Sequence, residues 1–134
     1  MRIFWQSSMI LGLPGIDEDH HRLVAKLDCV CLALHGRNLP AAGRALDDFA
    51  VTMVEHFSAE EKLLADMGGG DSDHHISVHR GTADLVDRLR DAITIDQSLA
   101  KAEALAAELV NQWIRRLFHE DADLAAKVRD LSPT

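Results

Sequence analysis

Apolar side chains recur along this chain at alternating steps of three and four residues, the spacing that lays a stripe down one face of an α-helix. The first stripe reads Ile16, His20, Leu23, Leu27, Val30, Leu34, and with Asp17 as a candidate N-cap it predicts a helix to about Gly36. A turn holding Asn38 and Pro40 opens a second helix, which the triple glycine Gly68, Gly69, Gly70 should stop. Its stripe is Leu46, Phe49, Met53, His56, Glu60, Leu63, Met67. Asp71 or Ser72 can cap a third, with His75, His79, Thr82, Val86, Leu89, Ile93 facing inward. The fourth is expected from Gln97 or Ser98 to about Leu131, its direction set by Leu105, Leu109, Trp113, Leu124 and Val128. No period-two run bounded by turn residues predicts a strand. Four amphipathic helices with short connections imply an all-α, antiparallel up-and-down four-helix bundle, preceded by an N-terminal arm carrying Phe4 and Trp5.

Composition narrows the class without naming a chemistry. A length of 134 residues suits one domain, 1–134, with one core, and 47% hydrophobic with 27% charged residues suits a soluble protein. A formal charge of −8 and the lack of a basic stripe argue against nucleic acid as a partner. The apolar stretch from Met9 to Ile16 is broken by Gly12, Pro14 and Gly15 and is too short for a leader or a membrane span, so no membrane partner and a cytoplasmic location are expected. Cys29 and Cys31, two apart on a helix, point to different faces and are expected to be reduced core thiols rather than a disulfide.

The eight histidines change the picture, because several occupy core slots. A lone histidine on an apolar face is usually a core residue with a hydrogen bond. Here His20, His56, Glu60, His75 and His79 all stand in the stripes, and each would bury a polar group at a cost of roughly 1 to 3 kcal/mol if left without a partner. One shared cation would satisfy all of them. Residues four apart are neighbours on a helix, so His56 with Glu60 and His75 with His79 each make a two-toothed clamp. Imidazoles with a bridging carboxylate suit iron, manganese or zinc, and carboxylate-bridged metal pairs in bundles are assembled from such inward-pointing helical pairs. His21, His35 and His74 lie beside the stripes and are expected at the surface or behind the ligands.

These residues also carry a resemblance. Trp5 in the arm, Gly15-Ile16-Asp17-Glu18-Asp19-His20, His56-Phe57-Ser58-Ala59-Glu60-Glu61 and His75 through His79 resemble the corresponding pieces of the bacterial hemerythrins over nearly the whole chain. The resemblance implies a single hemerythrin-like domain with two non-haem iron ions, oxo- or hydroxo- and carboxylate-bridged. It implies that His20 and His56 serve one iron, His75 and His79 the other, and that Glu60 bridges them. It further implies dioxygen, or a related small ligand, as the partner.

The last helix departs from that family's pattern, which places a fifth histidine five residues before a bridging aspartate. This chain reads Arg116-Leu117-Phe118-His119-Glu120-Asp121, then Leu124-Ala125, so the ungapped register puts Asp121 in the bridging slot and Arg116 in the histidine slot. At about 100° per residue, positions 116 and 121 straddle the direction set by Leu109, Trp113 and Leu124, whereas His119 points mostly away. A rival register pairs His119 with Asp123 and needs the helix end to rotate or kink. Arginine is always protonated and offers no lone pair to a metal. The expectation is therefore a second iron short of one nitrogen, held less tightly, with an added open or water-filled position and faster oxidation. Arg116 would instead hydrogen-bond an anion, or pair with Glu120 or Asp121.

The leading expectation is an oxygen-binding or oxygen-responsive di-iron protein, with Phe57, Leu109 and Trp113 screening the site from water. The alternatives are an enzyme-like site acting on peroxide or nitric oxide, and a structural or signalling module with a partly lost metal site. The short tail after the fourth helix leads to the expectation that any signal passes to a separate protein partner.

Overall fold

The computed structural model describes residue 3 and residues 14–67 and 72–118. Four helices follow one another: α1 (Pro14–His35), α2 (Leu39–Met67), α3 (Ser72–Thr94) and α4 (Leu99–Phe118). No strand occurs among the described residues. Each helix packs against the next in sequence and α4 packs back on α1, which closes the expected four-helix bundle.

The ends of the helices follow local chemistry. α1 begins at Pro14, one turn earlier than the Asp17 cap expected from sequence, because proline's fixed φ and missing N–H suit the first helical position. Asp17 lies inside that first turn, where a carboxylate complements the partial positive charge of the helix start. The chain leaves α1 through Arg37 at φ 59°, not through Gly36. The Asn38 N–H donates to the Ala33 carbonyl and the Arg37 N–H to the Leu34 carbonyl, both at 2.9 Å, which satisfies the last carbonyls of the helix. The Asn38 Oδ1 then accepts from the Ala41 N–H at 3.0 Å and caps α2. Of the two starts expected for α4, Ser98 caps the helix, its Oγ accepting from the Lys101 N–H at 3.2 Å.

The stripes become the core. Leu23, Leu27, Val30 and Leu34 of α1 are buried with Leu46, Phe49 and Met53 of α2, Val86, Leu89 and Ile93 of α3, and Leu105, Leu109 and Trp113 of α4. Phe49 meets Trp113 edge to face, with centroids 5.3 Å apart at 73°. One stripe position needs correcting. Leu64, not Leu63, is the buried residue beyond Glu60, since four residues carry the helix about 40° past Glu60 whereas three stop about 60° short. Cys31 is buried, but Cys29 is exposed, so only one of the two thiols belongs to the core. Ile3 of the arm is also buried, its N–H donating to Asp28 Oδ1 of α1 at 3.1 Å. Phe4, Trp5, Leu124 and Val128 lie outside the described residues. No described helix is long and apolar enough to cross a membrane.

Candidate metal centre

One end of this core is polar. His20 on α1, His56 and Glu60 on α2, and His75 and His79 on α3 are all buried, at 4% exposure or less. The helical clamp geometry works as the four-residue spacing requires, and three helices bring five of the six sequence-predicted ligands together. The sixth, Asp121, lies outside the described residues, as do His119, Glu120 and Asp123.

The Glu60 carboxylate stands at the middle of the group. Its Oε1 lies 2.7 Å from His56 Nε2 and 3.7 Å from His20 Nε2. Its Oε2 lies 3.0 Å from His79 Nε2. The two oxygens thus face imidazoles from opposite sides. His20, His56 and Glu60 form one set whose ligand atoms all lie within 4.8 Å of one another, and Glu60, His75 and His79 form a second. Burial alone would raise the Glu60 pKa, but hydrogen bonds from His20, His56 and His79 and the charge of His56 outweigh it and hold the carboxyl well below its ordinary value.

The far sides of two rings are occupied as well. His56 Nδ1 faces Asp19 Oδ2 at 3.3 Å, and His79 Nδ1 faces Glu61 Oε2 at 3.6 Å. His56 therefore presents both nitrogens to carboxylates at hydrogen-bonding distance, whereas Glu61 is too far from His79 Nδ1 to hydrogen-bond it. A neutral His56 ring has one N–H and one lone pair, so it would set a lone pair against an oxygen lone pair on one side. Two remedies exist: a proton on both nitrogens of the ring, or a cation at Nε2. The first would place an imidazolium charge in a buried space where His20 Nε2 and His56 Nε2 are only 3.0 Å apart. The second suits the donor set directly. Imidazole nitrogens bind a transition ion at about 2.0–2.1 Å, so two on adjacent corners of one ion stand about 3 Å apart. The residues present fit a metal ion at each set.

Asp19 and Glu61 were not singled out from the sequence. Each directly adjoins a stripe ligand, His20 and Glu60 respectively, and a carboxylate beside a buried histidine or glutamate is the signal that could have found them. Such outer partners fix the tautomer and orientation of the imidazole in front of them. Phe57 stacks on the His79 ring, with centroids 3.9 Å apart and planes 3° from parallel, and Trp113 lies 6.0 Å beyond Phe57. His21, His35 and His74 are exposed and sit outside both sets, as their place beside the stripes implied.

Arg116 occupies the place that the helical register assigns to it, buried at 4% exposure. Its guanidinium carbon is 4.4 Å from the Phe57 ring centroid and 5.0 Å from that of Trp113, and its Nη2 lies 3.6 Å from Glu60 Oε2. The pairing expected from sequence, with Glu120 or Asp121, falls outside the described residues. What the described residues add is that the cation also faces the central carboxylate, on the oxygen that His79 shares.

Comparison with known proteins agrees with this geometry. Residues 11–128 match the model of the hemerythrin HHE cation binding domain. Bacteriohemerythrins of Stenotrophomonas maltophilia (strain R551-3), Pseudomonas paraeruginosa (strain DSM 24068 / PA7) and Pseudomonas aeruginosa (strain LESB58) are 27% identical over 77 residues, 58% of this chain and 50% of each relative. The chain thus matches about half the length of these curated relatives. Since the family match spans most of the chain and its buried histidines and glutamate converge inside a four-helix bundle, the protein belongs to the hemerythrin HHE cation-binding family.

Proposed function

We propose that this protein is an oxygen-binding or oxygen-responsive protein built on two non-haem iron ions. His20 and His56 hold one ion, His75 and His79 hold the other, and Glu60 bridges them, with Asp121 as the candidate second bridge. Residues 1–134 act as one domain in this reading. The observation that carries it is the Glu60 carboxylate, whose two oxygens face separate sets of imidazoles. A pair of ferrous ions supplies, when bound, the electrons with which dioxygen is held or reduced.

The chain's own residues do the rest. Asp19 accepts from the Nδ1–H of His56, which turns that ring's Nε2 lone pair inward, and Glu61 places a negative charge 3.6 Å from His79 Nδ1. Phe57, Leu109 and Trp113 exclude water from the α2–α4 side, where dry surroundings strengthen every charge interaction inside. Arg116 contributes a permanent positive charge next to Glu60, which favours a reaction partner that is or becomes anionic. That charge favours a second reading, reduction of peroxide or of nitric oxide at the same centre.

One experiment tests both. Protein loaded with ferrous iron under anaerobic conditions is exposed to air and then degassed while its optical spectrum is followed. A charge-transfer band that appears with air and vanishes on degassing supports reversible oxygen binding. Immediate, permanent conversion to the oxidised form supports the redox reading, and failure to bind iron sinks both.

A further inference from the structure

Three side chains of α2 surround the His79 ring that α3 brings to them. Phe57, Glu60 and Glu61 stand at i, i+3 and i+4, the spacing that makes residues neighbours on one helical face. Glu60 Oε2 meets the edge of the ring, 3.0 Å from Nε2, and Glu61 Oε2 lies 3.6 Å from Nδ1. Phe57 covers the face, with centroids 3.9 Å apart and planes 3° from parallel. The other ring pairs of the centre, His20 with His56 and His75 with His79, meet edge on. The two sets also differ in what holds their rings from behind. His56 Nδ1 has Asp19 Oδ2 at 3.3 Å, whereas His79 Nδ1 is buried and makes no hydrogen bond among the described residues.

We propose that Phe57 is the positioning residue for His79: its ring fixes the plane of the imidazole and thereby sets the affinity of the His75–His79 set for a metal ion, without being a ligand. The proposal rests on the metal-centre reading given above. Once the plane is fixed, the imidazole has two settings, 180° apart about its Cβ–Cγ bond, and the contact with Glu60 Oε2 selects the one that turns Nε2 inward. Phe57 is buried and held in its turn, with Trp113 flanking it at 6.0 Å and the Arg116 guanidinium carbon 4.4 Å from its centroid. The stack also favours the metal-bound state over the metal-free one. A cation on Nε2 draws electron density out of the imidazole, and the negative face of a phenyl ring attracts such an electron-poor group more strongly than a neutral one. The His20–His56 set does not share this device, since the His56 ring is 6.3 Å from Phe57 and tilted by 47°.

The test is a Zn²⁺ titration of the metal-free protein against a competing chelator, followed by the NMR signals of the histidine rings, which report each set separately. Assignment comes from the signals lost in His20→Gln and His79→Gln. In the wild type, before any metal is added, the His79 ring protons should lie upfield of those of the exposed His74, because they sit over the face of Phe57. Phe57→Leu, which keeps an apolar side chain but removes the flat face, should abolish that shift and leave the His20–His56 set unchanged. It should weaken the His75–His79 set by about 2–30-fold, the span of aromatic stacking and of a desolvated cation over a ring. Phe57→Tyr retains the face and should restore both shift and affinity. His79 signals without an upfield displacement in the wild type overturn the proposal with no substitution needed, so a variant that fails to fold does not spare it. Equal weakening of both sets in Phe57→Leu also overturns it, by showing a general packing role, as does an unchanged His75–His79 set or a loss in Phe57→Tyr as large as in Phe57→Leu. Failure of the wild type to bind Zn²⁺ sinks the metal-centre reading and this role with it, whereas the other adverse results sink the role alone.

Discussion

Glu60→Gln keeps the shape of the central side chain and removes its charge. Because Oε1 faces His56 at 2.7 Å and Oε2 faces His79 at 3.0 Å, the substitution touches both sets of donors at once. Partners one shell out, which only orient a ligand, are worth about 10–100-fold in metal affinity, so a shared ligand should be worth more than about 100-fold at each position. At about 1.36 kcal/mol per tenfold, that is upwards of about 2.7 kcal/mol per ion. A bound metal stabilises the native state by RT ln(1 + [L]/Kd), so the lost affinity appears directly as lost thermal stabilisation. For 134 residues, at about 2.1 cal/mol/K of unfolding entropy each, 2.7 kcal/mol corresponds to about 10 °C. The assay compares melting midpoints of metal-free and metal-saturated protein, wild type against variant. The difference between the two melts is the readout, since the variant's metal-free midpoint will itself fall when the carboxylate facing Arg116 and the imidazoles is lost. A metal-induced rise in Tm as large in Glu60→Gln as in wild type would refute the bridging role.

Four further outcomes follow from the same geometry. Asp19→Asn should weaken only the ion held by His20 and His56, and Glu61→Gln only the one held by His75 and His79, each by about 10–100-fold, as metal titrations resolve. Arg37→Gly should raise the metal-free midpoint by about 2–4 °C, because glycine relieves a left-handed residue that costs roughly 1 kcal/mol, and an unchanged or lower Tm would count against it. Leu89→Ala, at a fully buried position, should cost about 2–5 kcal/mol in a denaturant titration, whereas Val51→Ala, at 61% exposure, should cost under about 0.5 kcal/mol. A thiol reagent should label Cys29 quickly in native protein and Cys31 only after unfolding, so two equally fast thiols would contradict the burial pattern.

By itself the sequence determined the number of helices, their order and the residues that face inward, because helical period and side-chain polarity are local properties. The stripe of α3 is buried at all six positions read from spacing, and His56 with Glu60 and His75 with His79 form clamps because four residues are about one turn. Asn38 and Ser98 cap their helices for equally local reasons. Tertiary structure decided what depends on which helices meet. Leu63 and Leu64 flank the stripe on opposite sides, and packing chose Leu64. Asp19 and Glu61 adjoin stripe ligands in sequence, but the imidazoles they face stand on other helices, so only the tertiary structure decides which ring each meets. Arg116 shows the division most clearly. Its sequence position announced a missing nitrogen donor, but only the tertiary structure set its guanidinium over Phe57 and beside Glu60.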